Sequence, residues 1–157
     1  MTPDEVEKAL LLAKDIARPF EGLRLTPYHD PAGYPTVGYG HLLSREKFAD
    51  LSQWPAITET HAEELLDEDM RNAMGDVLRQ VRVELTVNQA AVLVDFVFNF
   101  GASRFKRSSL LRCVNHREFD AAALEFQKWV WAGGKRLPGL IKRREAERAL
   151  FCSEGSI

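Results

Sequence analysis

The stretch FEGLRLTPYHDPAGYPTVGYGHLL, Phe20 to Leu43, interrupts a largely helical chain with acids, glycines and prolines together. Before it, Thr2, Pro3 and Glu5 read as an N-cap, a first-turn proline and the N3 acid of a capping box. Val6, Leu10, Ala13, Ile16, Ala17 and Phe20 then recur at helical spacing, and Gly22 is a natural stop. Pro19 falls inside this pattern, where its missing N–H is expected to kink or shorten the last turn. Beyond Gly22, LRLTPY alternates like a strand, DPAG reads as a turn, and YPTVGYG as a second, glycine-edged strand.

From Thr58 or Thr60 the helical period returns and runs to about Val81, with Ala62, Leu65, Leu66, Met70, Ala73, Met74, Val77 and Leu78 as its buried stripe. In LTVNQAAVLVDFVFNFG, Thr86 caps, Gln89 closes a second capping box and Gly101 ends the helix. That helix is apolar nearly all round, which marks it as the central buried one. Shorter helices are expected around 108–115 and 118–130, a break at Gly133 and Gly134, and a last helix from Pro138 to about Phe151. The fold class is therefore α+β and predominantly α, with one small β element between the first helix and the long second one. A cleft between a small β-containing lobe and a larger helical lobe is the expected consequence.

At 157 residues the chain has the size of one domain, or of two lobes sharing one core. A hydrophobic content of 45% with 28% charged residues describes a soluble globular protein and excludes a disordered tail. The net charge of −2 is unevenly spread: residues 1–100 carry 9 Lys/Arg against 17 Asp/Glu, residues 101–157 carry 12 against 6. A basic C-terminal segment favours an anionic partner, such as nucleic acid, lipid headgroups or a carboxylate-bearing wall polymer, and any such attraction weakens with salt. The plainer reading is a solvated helical surface. Cys113 and Cys152 form no metal-ligand spacing with the four histidines and read as free thiols of a reducing cytosol. The N-terminal MTPDEVEKALLLAKD resembles neither a signal peptide nor a membrane span, so synthesis in the cytoplasm without membrane insertion is expected.

Hydrolysis of a glycosidic bond needs a protonated acid at the leaving oxygen and a second group that manages water or the developing charge. Glu21 stands at the C-terminal end of a helix, whose unpaired carbonyls favour the protonated form of an acid. Asp30 stands in a turn, where backbone N–H groups and water favour the ionised form. Two carboxylates held in opposite environments make an acid/base pair. Thr36, one strand onward, is placed to hold a water against Asp30. Taken singly, these are a surface acid, a turn former and a β residue. As a set, those plain readings leave unexplained a glutamate set against its helix-dipole preference.

The same stretch resembles the active-site region of the bacteriophage-type lysozymes (endolysins) of glycoside hydrolase family 24. Glu, Asp nine positions on, Thr six further and then Gly-x-Gly-His are matched by Glu21, Asp30, Thr36, Gly38, Gly40 and His41. The likeness continues through FNFG (Phe98–Gly101), FKRSSLLR (Phe105–Arg112) and WAGGKRLPGLIKRREAE (Trp131–Glu147), segments similar to the lambdoid-phage branch. It implies a lysozyme-like fold over residues 1–157: a small lobe with the β-hairpin at about 20–57, a connecting helix at about 58–81, and a helical lobe at about 82–157 with helix 3–20 packed on it. It also implies a muramidase that cuts the β-1,4 bond between N-acetylmuramic acid and N-acetylglucosamine in bacterial peptidoglycan, with no metal or cofactor. By this analogy Glu21 is the proton donor, while Asp30 and Thr36 position or activate water, with inversion at the anomeric carbon. Leu42, Phe98, Asn99 and Ser109 match positions lining the saccharide cleft. The implied partners are peptidoglycan and a separate holin that gives a monomeric enzyme passage to the cell wall, with no nucleic acid and no stable membrane insertion.

His41 is expected to be structural, paired with an acid on the next helix, Asp69 above all. Arg143 and Arg144 either reach Glu21 or form pairs with acids such as Glu147 on the surface of the last helix. Of Trp129 and Trp131, one is expected in the core and the other is left open as a sugar-stacking residue. The competing functions are a lytic transglycosylase, which needs one acid and gives Asp30 and Thr36 no role, and an inactive cell-wall-binding module. LTVNQAAVLVDF resembles the start of a helix-turn-helix, but its apolar circumference leaves little face to read bases.

Overall fold

A computed structural model describes residues 1–153, and the chain divides into two compact units. Ala17–Asp69 forms one, a sheet unit; Met1–Ile16 together with the chain from Met70 onward forms the other, a helical unit. The boundaries fall inside two long helices, α1 (Pro3–Glu21) and α2 (Glu59–Gln80).

Helix α1 starts on the expected capping box: the Glu5 N–H donates to Thr2 Oγ1 at 3.1 Å and the Thr2 N–H to Glu5 Oε2 at 2.9 Å. Its buried face is Ala9, Leu10, Ala13 and Ala17, one stripe of small residues and a leucine. Pro19 does not shorten the last turn, because the helix runs through it to Glu21. Two features hold that last turn. The Gly22 N–H closes onto the Arg18 carbonyl at 3.0 Å, and the Arg18 guanidinium makes a bidentate pair with Glu63, both bonds 2.8 Å. Gly22 itself has φ +69°, the left-handed conformation that ends a helix without strain only for glycine.

Three antiparallel strands follow in the order β1 (Arg24–His29), β2 (Pro35–Gly38), β3 (His41–Leu42). The register pairs Tyr28 with Thr36 and Thr36 with Leu42, so these residues stand side by side across the sheet. Between Arg24↔Gly38 and Tyr28↔Thr36 the β1–β2 ladder is irregular, at the position of Pro27, which has no N–H to give it.

In the helical unit, α3 (Val87–Phe100) carries the expected Thr86–Gln89 capping box and is buried from Ala90 to Val97. Gly101, φ +91°, ends it, and the short α4 (Ala102–Lys106), which sequence periodicity does not show, follows directly. Then come α5 (Ser109–Asn115), α6 (Phe119–Glu125), a hairpin of β4 (Trp131–Ala132) and β5 (Lys135–Arg136), and α7 (Pro138–Cys152). Phe96 is the hub of this core, with the rings of Phe100, Phe105, Phe126 and Trp129 at centroid distances of 5.0–6.2 Å. Trp129 is thus the core tryptophan, whereas Trp131 is 56% exposed.

Arg143 and Arg144 of α7 form acid pairs, but in the interior and not on the surface. Arg143 donates to Asp95 of α3 through Nε at 3.0 Å and Nη2 at 2.7 Å, and Arg144 pairs with Glu147. Arg144 also lies 4.6 Å over the Phe100 ring. Burial pushes the Glu147 carboxyl well above the usual carboxylate range, nearby Asp95 adds to this, and Arg144 and Arg143 oppose it. Cys113 and Cys152 are both free.

Candidate active site

The sheet unit gathers Glu21 and Asp30 into one open pocket of about 570 Å³, whose wall also includes Arg24 and Tyr28. Glu21 arrives there as the last residue of α1, because Gly22 stops the helix just beyond it. A glycine at position 40 makes room for it. A Cβ built on Gly40 would stand 2.6 Å from Glu21 Oε2 and push the carboxyl aside, and φ there is +74°, a backbone that favours glycine. The acid is therefore seated against bare backbone.

Asp30 follows β1 and builds its own turn. Its carbonyl accepts the Gly33 N–H at 2.8 Å, while its side-chain Oδ1 accepts the N–H groups of Ala32 at 2.9 Å and Tyr34 at 2.8 Å. That is an Asx-turn, the local bonding that aspartate favours before proline. Both bonds go to Oδ1, and they fix the carboxylate's orientation from below.

Thr36 is buried on β2, next to Tyr28 on one side and Leu42 on the other. Its hydroxyl donates to the Tyr34 carbonyl at 2.8 Å. The proton is thereby committed to the backbone, and what Oγ1 offers a water is an acceptor lone pair. Thr36 does not line the pocket of Glu21 and Asp30 directly; the sheet register places it beside Tyr28, which does.

Tyr28 and Arg24 are the neighbours that composition and spacing did not single out. The Arg24 guanidinium lies 4.3 Å over the Tyr28 ring. Burial pushes the Tyr28 phenol up, Arg24 opposes this, and the charges of Glu21 and Asp30 add to it, so the hydroxyl is a neutral donor at pH 7. One signal in the sequence pointed here: Tyr28 is two residues before Asp30 on an alternating strand, hence on its face.

His41 meets the acid expected for it, with Nδ1 2.8 Å from Asp69 Oδ2. That hydrogen bond raises the His41 pKa, against burial, which lowers it. Gly38 has φ +69°, and a Cβ built on it would meet Ala62 and Ile57 at ordinary van der Waals distance, 3.5 Å. Of the saccharide-binding candidates, Leu42 is 44% exposed on β3. Phe98, Asn99 and Ser109 belong to the helical unit. Asn99 Oδ1 is buried there with no hydrogen-bond partner, and Ser109 Oγ donates to Glu125 Oε2 at 2.9 Å. Among the described residues no group of three or more His, Cys, Asp or Glu is arranged to hold a metal ion.

Comparison with known proteins adds to this geometry. The phage lysozyme family profile matches residues 18–147. The chain is 42% identical over 149 residues to the endolysin of Acyrthosiphon pisum secondary endosymbiont phage 1, covering 92% of this chain and 95% of that one. It is 40% identical to the endolysin of Bacillus phage B103 over 87% of this chain, but spans only about half (51%) of that protein's length. Among solved structures, the muramidase domain of SpmX from Asticaccaulis excentricus superposes with a TM-score of 0.75 at 33% identity, covering 98% of this chain and 97% of that one. The α+β, mainly helical fold is thus a lysozyme-like one.

Proposed function

The chain belongs to the phage lysozyme family, and on that premise we propose that it is an endolysin that hydrolyses the β-1,4 bond between N-acetylmuramic acid and N-acetylglucosamine in peptidoglycan. The observation that carries the site assignment is the shared pocket of Glu21 and Asp30, with Glu21 seated against Gly40. In this reading Glu21 is the general acid and gives its proton to the glycosidic oxygen as the C–O bond breaks. Water attacks the anomeric carbon from the opposite face, donating one hydrogen to Thr36 Oγ1 and losing the other to Asp30. The configuration inverts, Glu21 is left ionised and Asp30 protonated, and solvent returns the proton. Water and side chains supply every reactant, so the route calls for no metal or cofactor. An inverting site of this kind requires carboxyl groups roughly 6.5–9.5 Å apart.

Leu42 is the saccharide contact that the sheet supports best, since it is exposed and pairs with Thr36. Phe98, Asn99, whose buried Oδ1 has no hydrogen-bond partner, and Ser109 in the first turn of α5 are the saccharide-binding candidates that the helical unit itself offers. Product analysis tests the reaction. Mass spectrometry of digested sacculi is expected to show muramic acid with a free reducing end, whereas 1,6-anhydromuramic acid would make the protein a transglycosylase.

No helix among the described residues is long and apolar enough to cross a membrane. We further propose a monomer made in the bacterial cytoplasm that reaches the wall through a separate holin. Expressed alone, it should leave a culture turbid until the membrane is permeabilised; lysis without permeabilisation would show another route of export.

A further inference from the structure

Arg24 stands exposed at the start of β1, in the wall of the pocket that holds Glu21 and Asp30. Among the described residues no carboxylate reaches its guanidinium within ion-pair distance; the group rests instead on the Tyr28 ring, 4.3 Å from the centroid. A cation held by a ring keeps its N–H donors available while losing much of its conformational freedom. The Arg24–Tyr28 pair also lines a second, shallower concavity of about 360 Å³, together with Leu25, Thr26 and Pro27.

We propose that Arg24 is a specificity-determining residue that binds a stem-peptide carboxylate of the muramyl unit, with Tyr28 holding it in place. The inference rests on the muramidase reading above. A site with two acids, within residues 1–100 that carry 17 Asp/Glu against 9 Lys/Arg, repels an anionic polymer. Peptidoglycan bears carboxylates on the peptides of alternate sugars, so a cation beside the acids is needed to accept it. The planar fork of arginine matches a carboxylate through two parallel N–H bonds. Sugar in the larger pocket and peptide in the shallower one would both touch the pair common to the two, Arg24 and Tyr28, of which Arg24 carries the charge. A neutral glycan offers Arg24 nothing to bind.

The test compares two preparations of the same soluble peptidoglycan fragments, one native and one with its free carboxylates capped as methyl amides. R24Q is expected to lower the native-over-capped ratio of kcat/KM by about tenfold, the value of one charge-assisted contact, with the loss carried by KM. R24K, which keeps the charge but not the fork, should restore part of the ratio. Y28F, which keeps the ring, should hold the ratio, and Y28L should lower it. An unchanged ratio in R24Q overturns the proposal, and so does a fall of kcat alike on both preparations, which would place Arg24 on the acids instead. Should the wild type release no reducing ends, the muramidase reading fails. Retention on immobilised native over capped fragments, lost in R24Q, decides the Arg24 site without turnover.

Discussion

In the helical unit, Asp95 and Arg143 face each other between α3 and α7 with side chains 0% and 4% exposed, and Arg144 and Glu147 lie buried beside them. In the sheet unit, Glu21, Asp30 and Arg24 stand around an open pocket, with their positions set by glycine, a turn and a ring. The residue types are the same and the surroundings are opposite. Where acid and arginine satisfy each other inside a core, their chemistry is spent on the fold, and breaking one leaves an uncompensated charge. Where the backbone of a turn holds Asp30 and an aromatic ring holds Arg24, their chemistry stays available to a substrate.

Substitutions in the two regions should therefore separate activity from stability. After the proton donor itself, the largest effect on rate is expected at Asp30. In Asp30→Asn the amide oxygen still accepts the Ala32 and Tyr34 N–H bonds, so the turn survives while the base is lost. Turnover of peptidoglycan should fall by about 10²–10⁴-fold with the melting temperature nearly unchanged; equal losses of activity and stability would break the distinction. Asp95→Ala should do the reverse. It strands Arg143 in the core, and urea unfolding should show a loss of about 3–5 kcal/mol, whereas a loss below ~1 kcal/mol would mean that the buried pair contributes nothing.

Gly40→Ala lies between the two cases. A methyl 2.6 Å from Glu21 Oε2 must displace the acid, and a φ of +74° strains any other residue. Stability should fall by about 1–2 kcal/mol and kcat by on the order of 10²-fold, read from paired calorimetry and rate measurements. The smallest effect is expected at the His41–Asp69 pair, whose side chains are about one-fifth exposed, 21% and 23%. Because the folded-state pKa of His41 is raised by Asp69, the protonated form is the one stabilised. That contribution is complete below the unfolded value of about 6.5 and is lost as pH rises through the folded one. The stability difference between wild type and Asp69→Asn should thus be about 1 kcal/mol near pH 6 and shrink toward pH 9. A difference that grows with pH would reverse the assignment.

Much of the fold was legible because its boundaries are written in local chemistry. Thr2 with Glu5, Thr86 with Gln89, Gly22 and Gly101 each act within a few residues of themselves, and all hold in the structure. What was not legible depends on partners far along the chain. The helix continues past Pro19 where Glu63 anchors Arg18, and the RREAER run of α7 looks solvated although Arg143, Arg144 and Glu147 are buried. The β4–β5 hairpin escaped a strand reading because each strand has only two residues; its mark is the pair Gly133 and Gly134, φ +57° and +78°, the backbone of a tight hairpin turn. Within the site, Glu21 and Asp30 could be found from sequence because helix end and turn are local features. Arg24 could not, since its stacking on Tyr28 is a property of the folded strand.

The central claim is that Glu21, placed by the end of α1 and the bare backbone of Gly40, supplies the proton that breaks the glycosidic bond. Glu21→Gln keeps the size and removes the acid. Clearing of purified cell walls by wild type and by this variant, each with its thermal melt, is the most direct test. The account predicts that Glu21→Gln melts like the wild type and releases no reducing ends; a folded variant that still clears the walls would contradict it.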